Sequence, residues 1–265
     1  MRNALKARKG RALALSLCVL GLLGGAAKAI VVQEHNLKIA VQGQVKPFRL
    51  PRTELAPVAV FLSGHIGTPD DSTPQQLERM TILVNRHGRL HDVGLPTCAL
   101  DEIRASTSQR ALEQCGDALV GSGRFWASIV LPSQRPYPTR GRLLVFNGRA
   151  GGRPALFAQI FTTKPFATSF VVTFALKRIH QGPWGTQLTA SLPQALGEWG
   201  YVDRIKLTLR RKYHYLGRLR SYFRASCPAP PGAPGGVFPL ARTTFQFVDQ
   251  VEVTVPLSKT CGVAR

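Results

Sequence analysis

Apolar and polar residues alternate with a period of two along most of the chain. That is the spacing of strands that turn one face to a core and the other to water. Leu37, Ile39, Val41, Gly43 and Val45 share one side of the first such segment, with Lys38, Gln42 and Gln44 opposite. Val58, Val60, Leu62 and Ile66 continue the pattern, and a strand near 77–84 runs into a turn signal at Asn85–Gly88. Further alternating runs fall at 124–131, 141–146, 154–163, 168–178, 185–192, 201–211, 218–227, 237–247 and 251–257, most of them closed by Gly or Pro. About a dozen strands at this spacing predict an all-β chain, an antiparallel β-sandwich.

One helical island interrupts the strands. Ser106 or Thr107 supplies an N-cap, good helix formers follow, and Gly116 ends the run, which predicts a short helix near 107–115. A second brief turn is expected at Leu100–Arg104. The segments 131–142 and 227–239 are too rich in Pro and Gly for regular structure. With no internal repeat and no dividing linker, residues 30–265 read as one domain.

The first 29 residues have a different character. Arg2, Lys6, Arg8, Lys9 and Arg11 precede a short apolar run from Ala12 to Gly25, and Ala27-Lys28-Ala29 gives a small-x-small cleavage pattern. This predicts a signal peptide cleaved near Ala29 and a protein that is secreted or held at the cell envelope, without a transmembrane segment in the mature chain. Cleavage takes six Lys/Arg and no acid from the overall +21, leaving a mature net charge of about +15. Such a field favours anionic partners. Outside the leader there are four cysteines, Cys98, Cys115, Cys227 and Cys261, an even number that suits disulfides in an exported chain. Three connectivities are open to them. Cys98–Cys115 with Cys227–Cys261 is the expected one, because each bridge then closes a local element.

The basic charge is densest between Leu207 and Cys227, where no acid occurs. Ile205, Leu207 and Leu209 alternate with Lys206, Thr208 and Arg210, and Leu219, Phe223 and Cys227 alternate with Arg218, Arg220, Tyr222 and Arg224. A turn around His214–Gly217 would join two arms, placing Lys206, Arg210, Lys212, Arg218, Arg220 and Arg224 on one outward face. Like charges on facing strands cost stability unless an anionic partner neutralises them, although charge on an exposed strand also blocks edge pairing.

Catalytic patterns are scarce. The chain has no G-x-S-x-G elbow, no H-E-x-x-H helix, no P-loop and no dinucleotide fingerprint. His87 and His91 are four apart with Asp92 adjacent, but they sit in a turn-like segment that lacks a third ligand, so no metal or cofactor is expected. Asp70 and Asp71 lack the alternating spacing of a calcium loop and read as a capped turn. Glu198 beside Trp199 has no second carboxylate with which to work on a glycosidic bond. Trp184 and Trp199 are aromatic candidates for sugar stacking or for core cover, and Trp126 falls within a strand at a parity opposite to Phe125, Ala127 and Ile129, so that one of the two faces must be covered or partly exposed.

The phrases "PFRLPRTELAPVAVFLSGHIGT", "GLPTCALDEIRASTSQRALEQCGDALVGSG", "GRLLVFNG", "RKYHYLGRLRSYFRASCPAP" and "TTFQFVDQVEVTVPLSKTC" cover much of the mature chain. Their order resembles an uncharacterised family of secreted bacterial proteins with no established activity. The resemblance implies an exported β-rich protein with the same cysteine arrangement and carries no functional residue. The sequence therefore leads to a non-enzymatic envelope protein with a structural or binding role. Its expected partner is an anionic cell-wall polymer, an acidic polysaccharide or lipid headgroups, and not a specific nucleic acid. A secreted hydrolase acting on a cell-wall or carbohydrate substrate is the alternative, and oligomeric state is left open.

Overall fold

The computed structural model describes residues 29–130, 135–192 and 200–264. The expected signal peptide as far as residue 28, residues 131–134, and Glu198 and Trp199 lie outside them. In chain order the strands are β1 Ile30–Glu34, β2 Leu37–Lys46, β3 Arg49–Leu50, β4 Ala56–Pro57, β5 Ala59–Gly67, β6 Leu77–Asn85 and β7 Gly88–Leu90. Two helices follow, α1 Leu100–Arg104 and α2 Ser108–Cys115. Then come β8 Leu119–Ile129, β9 Tyr137–Ala150, β10 Arg153–Thr162, β11 Thr168–Gln181, β12 Trp184–Ser191 and β13 Gly200–Leu209. The chain finishes with β14 Lys212–Tyr215, β15 Arg218–Ser221, β16 Phe223–Ala225, β17 Gly235–Phe247 and β18 Glu252–Val263.

The all-β expectation holds, and so does the short helix, whose N-cap is Thr107: its hydroxyl accepts from the Arg110 N–H at 3.2 Å. Thirteen strands join in one hydrogen-bonded sheet, in the order β1-β2-β5-β13-β8-β9-β10-β11-β12-β6-β17-β18-β3. Every pairing is antiparallel except β18 with β3. The sheet curls until β1 and β2 lie against β18, without those strands joining one ladder. Leu37 and Ile39 of β2, Ile66 of β5, Phe245 and Phe247 of β17, and Val253 and Val255 of β18 fill that contact. The curl needs close strand approach. At Gly123 of β8 a Cβ would lie 1.9 Å from the Lys206 carbonyl oxygen of β13, so no larger residue fits without moving a strand.

The concave side holds the main core. Phe125, Leu143, Val145, Leu156, Leu188 and Leu209 point inward from the large sheet. A small sheet, β4-β16-β7, contributes Leu90, Phe223 and Ala225 to the same cluster. Burying each Leu or Phe of this kind is worth about 1.5–3 kcal/mol. On the convex side α1 and α2 cover β9 and β10, with Ile103 and Ala111 packed on Leu144, Phe146 and Phe157.

Both disulfides form in the expected pairing, with Cα–Cα distances of 5.3 Å for Cys98–Cys115 and 5.7 Å for Cys227–Cys261. The first pins α2 to the segment beside β9, where Cys98 bridges to Gly148. The second ties the end of β16 to β18. Beside it, the Arg52 guanidinium donates to the carbonyls of Ala229, Pro230 and Ala233, at 2.8 Å for Ala229 and 2.7 Å for Ala233, and so orders the proline-rich loop. Two disulfides place the chain in an oxidising compartment. No helix among the described residues is long and apolar enough to cross a membrane.

Two expectations change. Strands begin at Gly235 and at Tyr137, inside the two segments expected to be irregular, and Pro138 lies in β9. Its missing N–H costs nothing there, because β10 pairs with β9 only as far as Gly141. The long basic hairpin is also not one hairpin. The first arm, β13, pairs with β5 and β8 and ends at Leu209. The second arm divides into β15, which pairs with β14, and β16, which pairs with β4 and β7.

Candidate anion-binding surface

The six cations of the expected hairpin face therefore belong to three elements. Lys206 stands on the convex side of the large sheet, and Arg210 is exposed just past the end of β13. Lys212, Arg218 and Arg220 lie on the β14–β15 ribbon, and Arg224 lies on β16. Parity breaks at Tyr222 and Phe223, which are adjacent yet both buried. Arg220 pairs with Tyr213 on the inner side of the ribbon, and its Nε is buried without a partner. Arg224 donates to the Leu55 carbonyl at 2.5 Å. These two arginines are built into the structure and do not form an open face.

Lys206 has other neighbours. In register it faces Ser63 of β5 on one side and Arg124 of β8 on the other; Arg124 in turn faces Arg142 of β9. Gln42 of β2 completes the row beside Ser63 and accepts its hydroxyl at 3.4 Å. Lys206, Arg124 and Arg142 are all exposed, because Leu207, Phe125 and Leu143 take the inward positions. A second convex row, two residues along, runs His65, Arg204, Trp126, Arg140. Five cations thus stand on three neighbouring strands, with Trp126 between two of them. The helices cover β9 and β10 farther along the same strands and leave this region open.

Along the first row, across β2, β5, β13 and β8, lies an open groove of about 340 Å³, lined on its outward side by Gln42, Gln44, Phe61, Ser63, Ser122, Thr208 and the two cations Arg124 and Lys206. Lys46 Nζ stands 5.4 Å from the centre of the Phe61 ring and brings another positive charge to the rim. One carboxylate lies near. Asp203, at the bulge in β13, accepts from the Ser128 hydroxyl at 3.0 Å. Burial raises its carboxyl above the usual range, although that bond, His65 and Arg204 oppose the shift. Among the described residues no Lys or Arg is paired with a carboxylate, and the single ion pair is His35 with Glu34 at 3.7 Å.

The other candidates resolve into structural roles. Asp70 accepts from the N–H and hydroxyl of Ser72 at 3.2 and 2.7 Å, as expected of a capped turn, and these bonds hold its carboxyl below the usual range. Trp184 lies beneath the Arg242 guanidinium, 5.4 Å from ring centre to Cζ. Cys98, Glu102 and Cys115 converge, but both sulfurs are committed to their bridge. His87 Nδ1 lies 3.0 Å from the Ser226 hydroxyl, yet Ser226 is only 1% exposed and lines neither recess, so the pair joins β7 to the end of β16. A recess of about 250 Å³ at one end of the core holds one carboxylate, Asp92, beside Asn147, Lys177, Arg178, Thr186 and Tyr222.

Burial holds both turn histidines below their ordinary value of 6.5, assisted by Arg86 at His87 and by Arg220, Arg224 and Arg178 at His91, where Asp92 opposes. The unfolded chain therefore takes up these protons first. Stability is full above pH 6.5 and falls as the pH drops toward the depressed folded values. The urea midpoint of the protein is expected to fall between about pH 7 and 5.5, and His87→Asn/His91→Asn to flatten that slope.

No family model, curated protein or solved structure matches the chain.

Proposed function

We propose that the protein is an exported, non-catalytic envelope component that holds an acidic polysaccharide across the convex face of its curled sheet. The observation that carries this reading is the row Lys206–Arg124–Arg142, three cations directly opposite one another with no carboxylate partner. Like charges so placed destabilise a sheet by some tenths of a kcal/mol per pair. An anionic ligand removes that cost. Strands repeat every 4.8 Å or so, close to the length of one hexose residue in a linear chain, so a polymer laid across the strands meets about one cation per residue. Ser63, Ser122, Thr208, Gln42 and Gln44 provide the hydroxyls and amides that sugar hydroxyls require, and Trp126 and Phe61 provide flat apolar surface.

Binding to heparin and to polygalacturonate, measured by calorimetry at two salt concentrations, tests the reading. A few displaced counterions make affinity fall on the order of 10- to 100-fold between about 50 and 200 mM salt. An affinity indifferent to salt, or no binding to either polymer, contradicts it.

A further inference from the structure

The β14–β15 ribbon departs from the habits of an ordinary surface hairpin. Its turn, Leu216–Gly217, has positive φ at both residues, 50° and 70°, the backbone of a tight type I′ connection. The first of those positions usually takes Asn, Asp or Gly, whereas here it carries a leucine that is 78% exposed. Leu219 is 58% exposed, and Val93, in the loop beneath, 54%. The aliphatic tip is not waiting for its own core. Tyr213 and Tyr215 already fill the inner side of the ribbon: the Tyr213 hydroxyl donates to the carbonyls of His91 and Val93 at 3.1 and 2.9 Å, and the Tyr215 ring packs on Gly94. The outer side is left with Lys212, His214 and Leu219, and Arg218 flanks the turn.

We infer that this ribbon tip docks on an anionic lipid surface, inserting Leu216 and Leu219 among the acyl chains while Lys212, Arg218 and Arg210 meet the headgroups. Aliphatic side chains ringed by cations are the arrangement that interfacial binding needs, since burial of CH₂ groups and attraction to anionic lipid add. No acid lies between Asp203 and Asp249, so nothing on the ribbon repels such a surface. A second copy is a poor occupant, because both tips carry the same positive charge. The inference is separate from the polysaccharide groove, which lies on β2, β5, β13 and β8. Together the two surfaces let the protein hold a wall polymer against a membrane.

Sedimentation with vesicles of phosphatidylcholine alone, or of phosphatidylcholine with phosphatidylglycerol, tests it. The protein is expected to bind the phosphatidylglycerol vesicles, and Leu216→Ser/Leu219→Ser to weaken that binding at least tenfold. Arg124→Glu/Lys206→Glu is expected to leave it unchanged while reducing polysaccharide binding. Leu216→Trp reports insertion directly, through a blue shift of its fluorescence on those vesicles. The inference is overturned if the protein ignores phosphatidylglycerol vesicles, if the serine variant binds as well as the parent, or if the tryptophan shows no shift. It is overturned equally if the groove variant loses vesicle binding to the same degree.

Discussion

Cys227→Ala/Cys261→Ala is expected to melt roughly 10 °C below the parent protein. The bridge closes a 34-residue loop, for which chain entropy alone gives a stabilisation of about 4 kcal/mol. For a domain of this size each kcal/mol moves the midpoint by about 2–4 °C. The structural setting adds to the effect. Cys227 is fully buried in the main core, and the bridge joins the small sheet that fills the concave side to β18, near which the curl closes. Cys98–Cys115 closes only 17 residues and secures a helix on the convex side, so its removal is expected to cost about 3 kcal/mol and to leave the curl intact. Calorimetric scans of the two double-alanine variants check the order. A larger loss from the 98–115 pair would mean that the helical layer, and not the small sheet, governs cooperativity.

Most of the strands were legible in the sequence because each turns one face to a core, and alternation records that without reference to partners. Beyond β6, all nine alternating runs overlap strands in the structure, and the helix falls where its cap and glycine place it. Partner choice was not legible. The alternation of Ile205, Leu207 and Leu209 continues smoothly toward the ribbon, but it reflects pairing with β5 and β8, segments far away in the chain. Two adjacent buried aromatics, Tyr222 and Phe223, mark the point where the chain leaves one small sheet for another. In the sequence they read as one polar-face and one core position.

The same limit hid the basic row. Lys206 borders the dense basic run, but nothing along the chain connects it with Arg124 and Arg142, which lie in two other alternating segments. Only the register makes them neighbours. Arg218, Arg220 and Arg224, which local density selected, divide between an exposed turn flank, the inner side of the ribbon and a backbone carbonyl. Density of charge along the chain was a weaker guide than the outward parity of single cations on strands that pair.

Reversing the row is the second large effect expected. Each cation near an anionic surface contributes about 1 kcal/mol, so loss of three reduces affinity by roughly two orders of magnitude, and reversal adds repulsion. All three side chains are exposed on the convex face, and their replacement leaves the core untouched. The matched control changes net charge by the same amount at Arg210, Lys212 and Arg218, which are also exposed but lie off the row. The deciding measurement is the dissociation constant for an acidic polysaccharide, at one low salt concentration, of the parent, the row variant Arg124→Glu/Arg142→Glu/Lys206→Glu and that control. The account predicts at least a hundredfold loss for the row variant and less than tenfold for the control; equal losses, or a row variant within about threefold of the parent, would contradict it.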